Sequence, residues 1–187
     1  ADHVAQIANG CVHIDEYKNN IDFEKIEFLK GLWDGTGRTR MNMDKDKKKE
    51  TTAVDCGVIL SGQEMPTADI ALFSRLVYLS FFKTEYSDQE KRNFSELKEI
   101  EKKGLTHITH EILALRIMFR EDYLKYYDET QAELMEALQG EVIEDRQFKN
   151  WCMIISAFTT LEKGIETSFS REKVIKVAAL QMTVQQK

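Results

Sequence analysis

Nowhere in these 187 residues is there a G-x-x-x-x-G-K-[S/T] loop, the turn whose backbone amides and lysine cradle nucleotide phosphates. A self-sufficient P-loop enzyme is thereby excluded. Proline is almost missing as well, with Pro66 the sole example. The three cysteines form no C-x-x-C pair, which excludes a zinc knuckle and a disulfide framework and fits a reducing, cytoplasmic setting. No apolar run approaches the roughly 18 residues that a membrane helix needs, and no basic-then-apolar leader opens the chain. Positive charge is in deficit: 26 Lys and Arg stand against 32 Asp and Glu, for a net charge of -6. A protein that coats nucleic acid over its whole surface is unexpected on that balance, so basic character has to be sought in local patches. The chain opens in what reads as mid-domain sequence, and a fragment of a longer protein is expected.

The hydrophobic pattern that is present changes period once along the chain. Short apolar runs at Cys11–Ile14, Val58–Leu60 and Leu76–Phe82 alternate with short helical stretches such as Phe23–Trp33, which predicts three buried strands in an α/β layer. From Asp88 onward apolar residues recur at three and four spacing, as at Phe94, Leu97 and Ile100, then Leu113 to Phe119, then Leu134 and Leu138. That half predicts packed helices. Breaks are expected at Lys103-Gly104, Gln139-Gly140 and Phe169-Ser170, with Ser170 opening a last helix to about Val184. The expected fold is therefore α/β over residues 1–86 with an all-helical domain over 87–187.

The first strand ends in Asp15-Glu16. Successive side chains in a strand point to opposite faces, so one carboxylate can address a Mg²⁺ shell while its neighbour addresses an attacking water. P-loop ATPases of the AAA+ type deliver their acids in this way, as the Walker B signature. Asp-Glu pairs are also ordinary solvated surface. The order of the downstream elements adds weight to the catalytic reading: a helix, the turn Asp34-Gly35-Thr36-Gly37, a basic hairpin-like segment, a second strand, and Gln63 at its end.

Three runs carry a family resemblance: Gly31-Leu32-Trp33-Asp34-Gly35-Thr36-Gly37-Arg38-Thr39-Arg40, Gly57-Val58-Ile59-Leu60-Ser61-Gly62-Gln63-Glu64-Met65-Pro66, and Ala71-Leu72-Phe73-Ser74-Arg75-Leu76-Val77-Tyr78-Leu79. Over residues 10–83 the chain resembles the AAA+ ATPase module of superfamily-three-like helicases of phage, plasmid and mobile-element primase-helicases. The resemblance implies a partial AAA+ core and, in the complete parent, ATP and Mg²⁺ as cofactors. It implies Asp15 at the metal, Glu16 polarising the lytic water, Gln63 sensing phosphate in a place where the family commonly has Asn, and Glu64 as a rival for that role. Arg75 matches the arginine finger, acting on the neighbouring subunit of a ring; otherwise it is a helix-terminal arginine placed against the macrodipole. The family also places a DNA-tracking hairpin between Walker B and the sensor strand. Here that is the basic segment with Arg38, Arg40, Lys45, Lys47, Lys48 and Lys49, whose phosphate contacts would hold single-stranded DNA without regard to sequence. Lysine-rich loop tips also serve solubility alone.

Other residues point less far. His107 and His110, with Glu111, share a helix face but lack a third ligand and match neither common zinc-protease order. Cys11, Cys56 and Cys152 sit in apolar contexts and are expected in cores. Tyr123, Tyr126 and Tyr127 fall at helical spacing, which suits a core or an interface better than base stacking. The expected function is part of an ATP-driven DNA helicase or primase-helicase acting in replication as a homo-oligomeric ring on single-stranded DNA, without a membrane. This chain alone is expected to be inactive. The competing expectation is a non-catalytic helical interaction or oligomerisation module.

Overall fold

The structure is a computed structural model that describes residue 4 and residues 6–41, 49–83 and 85–186, with backbone alone at 38–41 and 49–52. Two compact units divide it, Ala1–Leu76 and Val77–Lys187, so the boundary falls ahead of the expected one after residue 86.

In the first unit β1 (Ala8–Tyr17) leads to α1 (Phe23–Trp33), then to β2 (Thr36–Met41), β3 (Lys49–Ala53), β4 (Asp55–Gly62) and the single turn α2 (Ile70–Phe73). Helix α1 starts after Asp22, which pairs with Lys25 at 2.9 Å, and turns Ile26 inward. It stops at Asp34 because Gly35 takes φ 69, a left-handed conformation that glycine adopts at little cost. The turn is then tied down by Val54, whose N–H donates to the Gly35 carbonyl at 2.9 Å. Strands β2 and β3 pair antiparallel, while β1 and β4 pair parallel. Parallel neighbours need a crossover, and α1 with the β2–β3 ribbon supplies it. A small core of Tyr17, Ile26 and Leu72 joins β1, α1 and α2. Lys30, held above its ordinary pKa first by Glu27 and then by Asp69, bridges α1 to the Asp69 cap of α2 at 3.2 Å.

Two strand expectations need correction. The run Leu76–Phe82 forms no strand: Phe81 and Phe82 are 89% and 84% exposed. A strand exists only where a neighbour takes its N–H and C=O groups, and among the described residues β1 and β4 are used on each other. The remaining strands are also not buried on both faces. Along β4 exposed and half-buried residues alternate, leaving Ile59 56% exposed, and Cys11 of β1 is exposed rather than packed in a core. A two-stranded sheet has too little backing to cover its second face.

The second unit is helical: α3 (Asp88–Lys103), α4 (Thr106–Ala114), α5 (Arg116–Ala137), α6 (Asp145–Leu161) and α7 (Arg171–Gln186). The core is built by the last three, from Leu134 and Leu138, Trp151, Cys152 and Ile155, and Ile175, Ala178 and Met182. Serine and threonine are tolerated inside α6 because each hydroxyl donates to a carbonyl one turn back: Ser156 to Cys152 at 2.6 Å, Thr159 to Ile155 at 2.8 Å, Thr160 to Ser156 at 2.8 Å. Arg171 stitches the bundle, donating to Thr159 Oγ1 at 2.8 Å and Thr130 Oγ1 at 2.9 Å and pairing with Glu133. The breaks at Gly104 (φ 91) and at Gln139-Gly140 (φ 52 and 85) fall where glycine and its neighbour predict them. The expected packing of α3 does not occur: Ser87 and Glu90 form a complete capping box, yet the helix buries no residue, and Phe94, Leu97 and Ile100 stay exposed. Capping and the i,i+3 pairs Lys98–Glu101 and Lys102–Glu99 support this helix without tertiary burial. No helix among the described residues is long and apolar enough to cross a membrane.

Candidate functional site

The parallel register sets Val12 against Val58, His13 against Ile59 and Ile14 against Leu60, so the carboxyl ends of β1 and β4 finish side by side. In α/β sheets this is the edge where ligands bind. Past Ile14 the register slips, since Tyr17, three residues on, faces Gly62, only two on from Leu60. The extra residue is taken up at Glu16, which has φ 59. A left-handed glutamate costs roughly 1–2 kcal/mol, and a bulge of this kind re-aims side chains at a strand end. Regular alternation of Asp15 and Glu16 to opposite faces therefore does not hold. Asp15 Oδ1 instead accepts the Glu16 N–H at 2.8 Å.

The same carboxylate accepts from the Ser61 hydroxyl of β4, and Ser61 Oγ lies 2.8 Å from His13 Nε2. A hydroxyl has one proton, and Ser61 gives it to Asp15, so His13 is assigned as the Nε2–H donor to Ser61. The Ser61 hydroxyl first, and the Glu16 amide second, hold Asp15 below its ordinary pKa. Asp15 is thus an exposed carboxylate whose charged form is further favoured by these two donors. Beyond β4, Gln63 is exposed one residue past Gly62. Glu64, its rival, is occupied structurally: its Oε2 accepts the Asn19 N–H at 2.7 Å.

Asn19 is the residue that ties the two strand-end loops together. Its Nδ2 donates to the Met65 carbonyl at 2.9 Å, and its Oδ1 accepts from the Ala68 N–H at 3.3 Å. Gly62 permits the approach, because a Cβ there would lie 2.5 Å from the Tyr17 carbonyl oxygen. Sequence reasoning missed His13, Ser61 and Asn19. The signal for His13 was its place two residues before Asp15, on the same strand face; the other two depend on register across about 45 residues.

Arg75 follows α2, two residues past its last helical residue Phe73. Its Nη1 donates to the Ala71 carbonyl at 2.7 Å, and its guanidinium stacks 5.7 Å over the Trp33 ring. These contacts are of the helix-terminal kind. The basic segment forms an antiparallel ribbon with Arg40 opposite Glu50 and Met41 opposite Lys49. Arg38 and Arg40 stand in β2 and Lys49 opens β3, while Lys45, Lys47 and Lys48 lie outside the described residues. The ribbon is inserted in the chain between β1, which carries Asp15, and β4, which Gln63 directly follows.

His107 and His110 are exposed on α4. Among the described residues no three His, Cys, Asp or Glu side chains converge as metal ligands. A nucleotide's Mg²⁺ needs less, since phosphates and waters fill most of its octahedron and one or two carboxylates suffice. An exposed, ionised Asp15 fits that donor set. Comparison with protein-family models, curated proteins and solved structures finds no match to this chain.

Proposed function

We propose that this chain forms part of the motor of an ATP-driven DNA helicase or primase-helicase, with Asp15, Glu16 and Gln63 at the nucleotide. The observation that carries the reading is the parallel pairing of β1 with β4, which gathers the Asp-Glu end of one strand and the Gln63 end of the other on one sheet edge. An exposed two-stranded parallel sheet supports it too, because parallel sheets are normally covered on both faces and built of more strands. Asp15, an exposed carboxylate oriented by Ser61, would hold Mg²⁺ through its water shell, and that ion would neutralise charge developing on the phosphates. Glu16 would polarise the attacking water and Gln63 would orient the terminal phosphate. Arg75 serves a neighbouring subunit of a ring only by exchanging its contacts with Trp33 and Ala71 for the phosphate. The β2–β3 ribbon with Arg38, Arg40, Lys45, Lys47, Lys48 and Lys49 would track single-stranded DNA.

The phosphate cradle is absent from these residues and is assigned to another part of a longer parent. Residues 1–187 alone should therefore show no ATP hydrolysis above background; robust turnover would refute the assignment. In the parent, Glu16→Gln should keep nucleotide binding and abolish hydrolysis, because the amide retains shape but cannot polarise water. Loss of binding instead would mark Glu16 as structural. The second reading, a non-catalytic interaction or oligomerisation module, is favoured by the exposed apolar face of α3.

A further inference from the structure

A cleft in the helical unit stands apart from the nucleotide reading and does not depend on it. Where α5 ends, Gln139 and Gly140 both take left-handed backbone conformations, and the chain reverses into α6. Ile143 and Phe148 fold back against the bundle core. Between these elements an open cleft of about 430 Å³ remains, with a largely apolar lining that includes Met135, Leu138, Ile143 and Phe148. Its size falls within the roughly 300–1,000 Å³ of ordinary binding sites. Met135 is 66% exposed, and Val142 beyond the turn is 89% exposed.

The rim is acidic. From Asp128 to Asp145 the chain carries seven carboxylates and no lysine or arginine, more negative charge than the net -6 of the entire protein. Four of them have a basic neighbour: Glu129 with Lys125, Glu133 with Arg171, Glu144 with Arg146, and Asp145 with Lys149. Asp128, Glu136 and Glu141 are in no ion pair among the described residues. Glu141 lines the cleft and Glu136 comes directly after Met135 in sequence.

An apolar floor beside acids that are only partly paired, with Glu141 of the lining and neighbouring Glu136 in no ion pair among the described residues, is complementary to a segment that offers apolar anchors flanked by lysine or arginine. Methionine in the floor suits such a role, since its flexible thioether adapts to varied anchors. A second copy docked through the same patch is disfavoured, because a two-fold contact would set one acidic rim against the other. We propose that the α5–α6 cleft is a docking groove for a cationic amphipathic segment of a partner protein.

The test uses the full chain and a short fluorescent peptide of leucine and lysine patterned as an amphipathic helix. A scrambled peptide of the same composition serves as control, and binding is read by anisotropy. The patterned peptide should bind at least about tenfold tighter than the scrambled one, and Met135→Ser and the double variant Glu136→Lys/Glu141→Lys should each weaken it about tenfold. A Glu99→Lys control on α3 should leave binding unchanged. All four substituted positions are exposed, so thermal midpoints should hold; if the double lysine variant does not fold, Glu136→Gln/Glu141→Gln replaces it. Equal binding of patterned and scrambled peptides, or indifference to Met135 and to the two glutamates, would overturn the proposal. So would concentration-dependent self-association that these substitutions abolish, because the occupant would then be a second copy.

Discussion

Replacing Leu134 with alanine, and Phe94 with serine as its counterpart, separates the part of the helical half that is packed from the part that is only helical. Leu134 is 0% exposed in the α5–α6–α7 core, in one cluster with Trp151 and Met182. Removing its isobutyl group loses buried apolar surface and leaves a cavity lined by rigid neighbours, a cost of about 3 kcal/mol. For a unit of this size about 4 °C of midpoint accompanies each kcal/mol, so the transition should fall by roughly 12 °C. Phe94 is 59% exposed on a helix that buries nothing, and its substitution should cost under about 0.5 kcal/mol. The chain has two tryptophans, and in a Trp33→Phe background fluorescence reports Trp151 alone, which is 4% exposed inside the helical core. Thermal and urea unfolding followed at that single reporter avoid mixing in the first unit. A Leu134→Ala loss below about 1 kcal/mol, or a Phe94→Ser loss above about 1.5 kcal/mol, would refute the division between packed α5–α7 and unpacked α3.

Three other contacts have measurable consequences. Cys152 is buried and its thiol is pushed up to about 11 by burial, so at neutral pH an aromatic disulfide reagent should modify exposed Cys11 first and Cys152 only after unfolding; peptide mass mapping reads the order. Ser61→Ala removes the main cause of the depressed Asp15 pKa, and carboxyl NMR titration should show that pKa move up toward 3.8. The stability Asp15 lends is present above its unfolded pKa and is lost as pH falls through the lower folded value, so the acid limb of the stability profile should flatten in this variant. Arg171→Met leaves the Thr130 and Thr159 hydroxyls without their donor and Glu133 without its partner, and should cost about 2–4 kcal/mol by urea denaturation, whereas Lys176→Met, a surface pair with Glu172, should cost under about 0.5 kcal/mol.

Residue order alone sets the local elements. Helix α1 runs over Phe23–Trp33 as its periodicity predicts, the turn at Gly35 and the breaks at Gly104 and Gly140 arise from glycine's access to positive φ, and Ser170 immediately precedes α7. Each depends on neighbours a few residues apart, where backbone sterics and i,i+4 spacing act without help. The other features came from the folded chain. The apolar run Leu76–Phe82 has strand composition, but strands are made by partners, and none is offered among the described residues. The stripe of Phe94, Leu97 and Ile100 predicts an amphipathic helix, yet period cannot tell a face covered by its own chain from one left open. Asp15-Glu16 was legible as a pair of acids at a strand end. That Ser61 would hydrogen-bond one of them, that Glu16 would fall on a bulge, and that Asn19 would lock the adjoining loops all depend on the register of two strands separated by a helix and a ribbon, which no local pattern encodes.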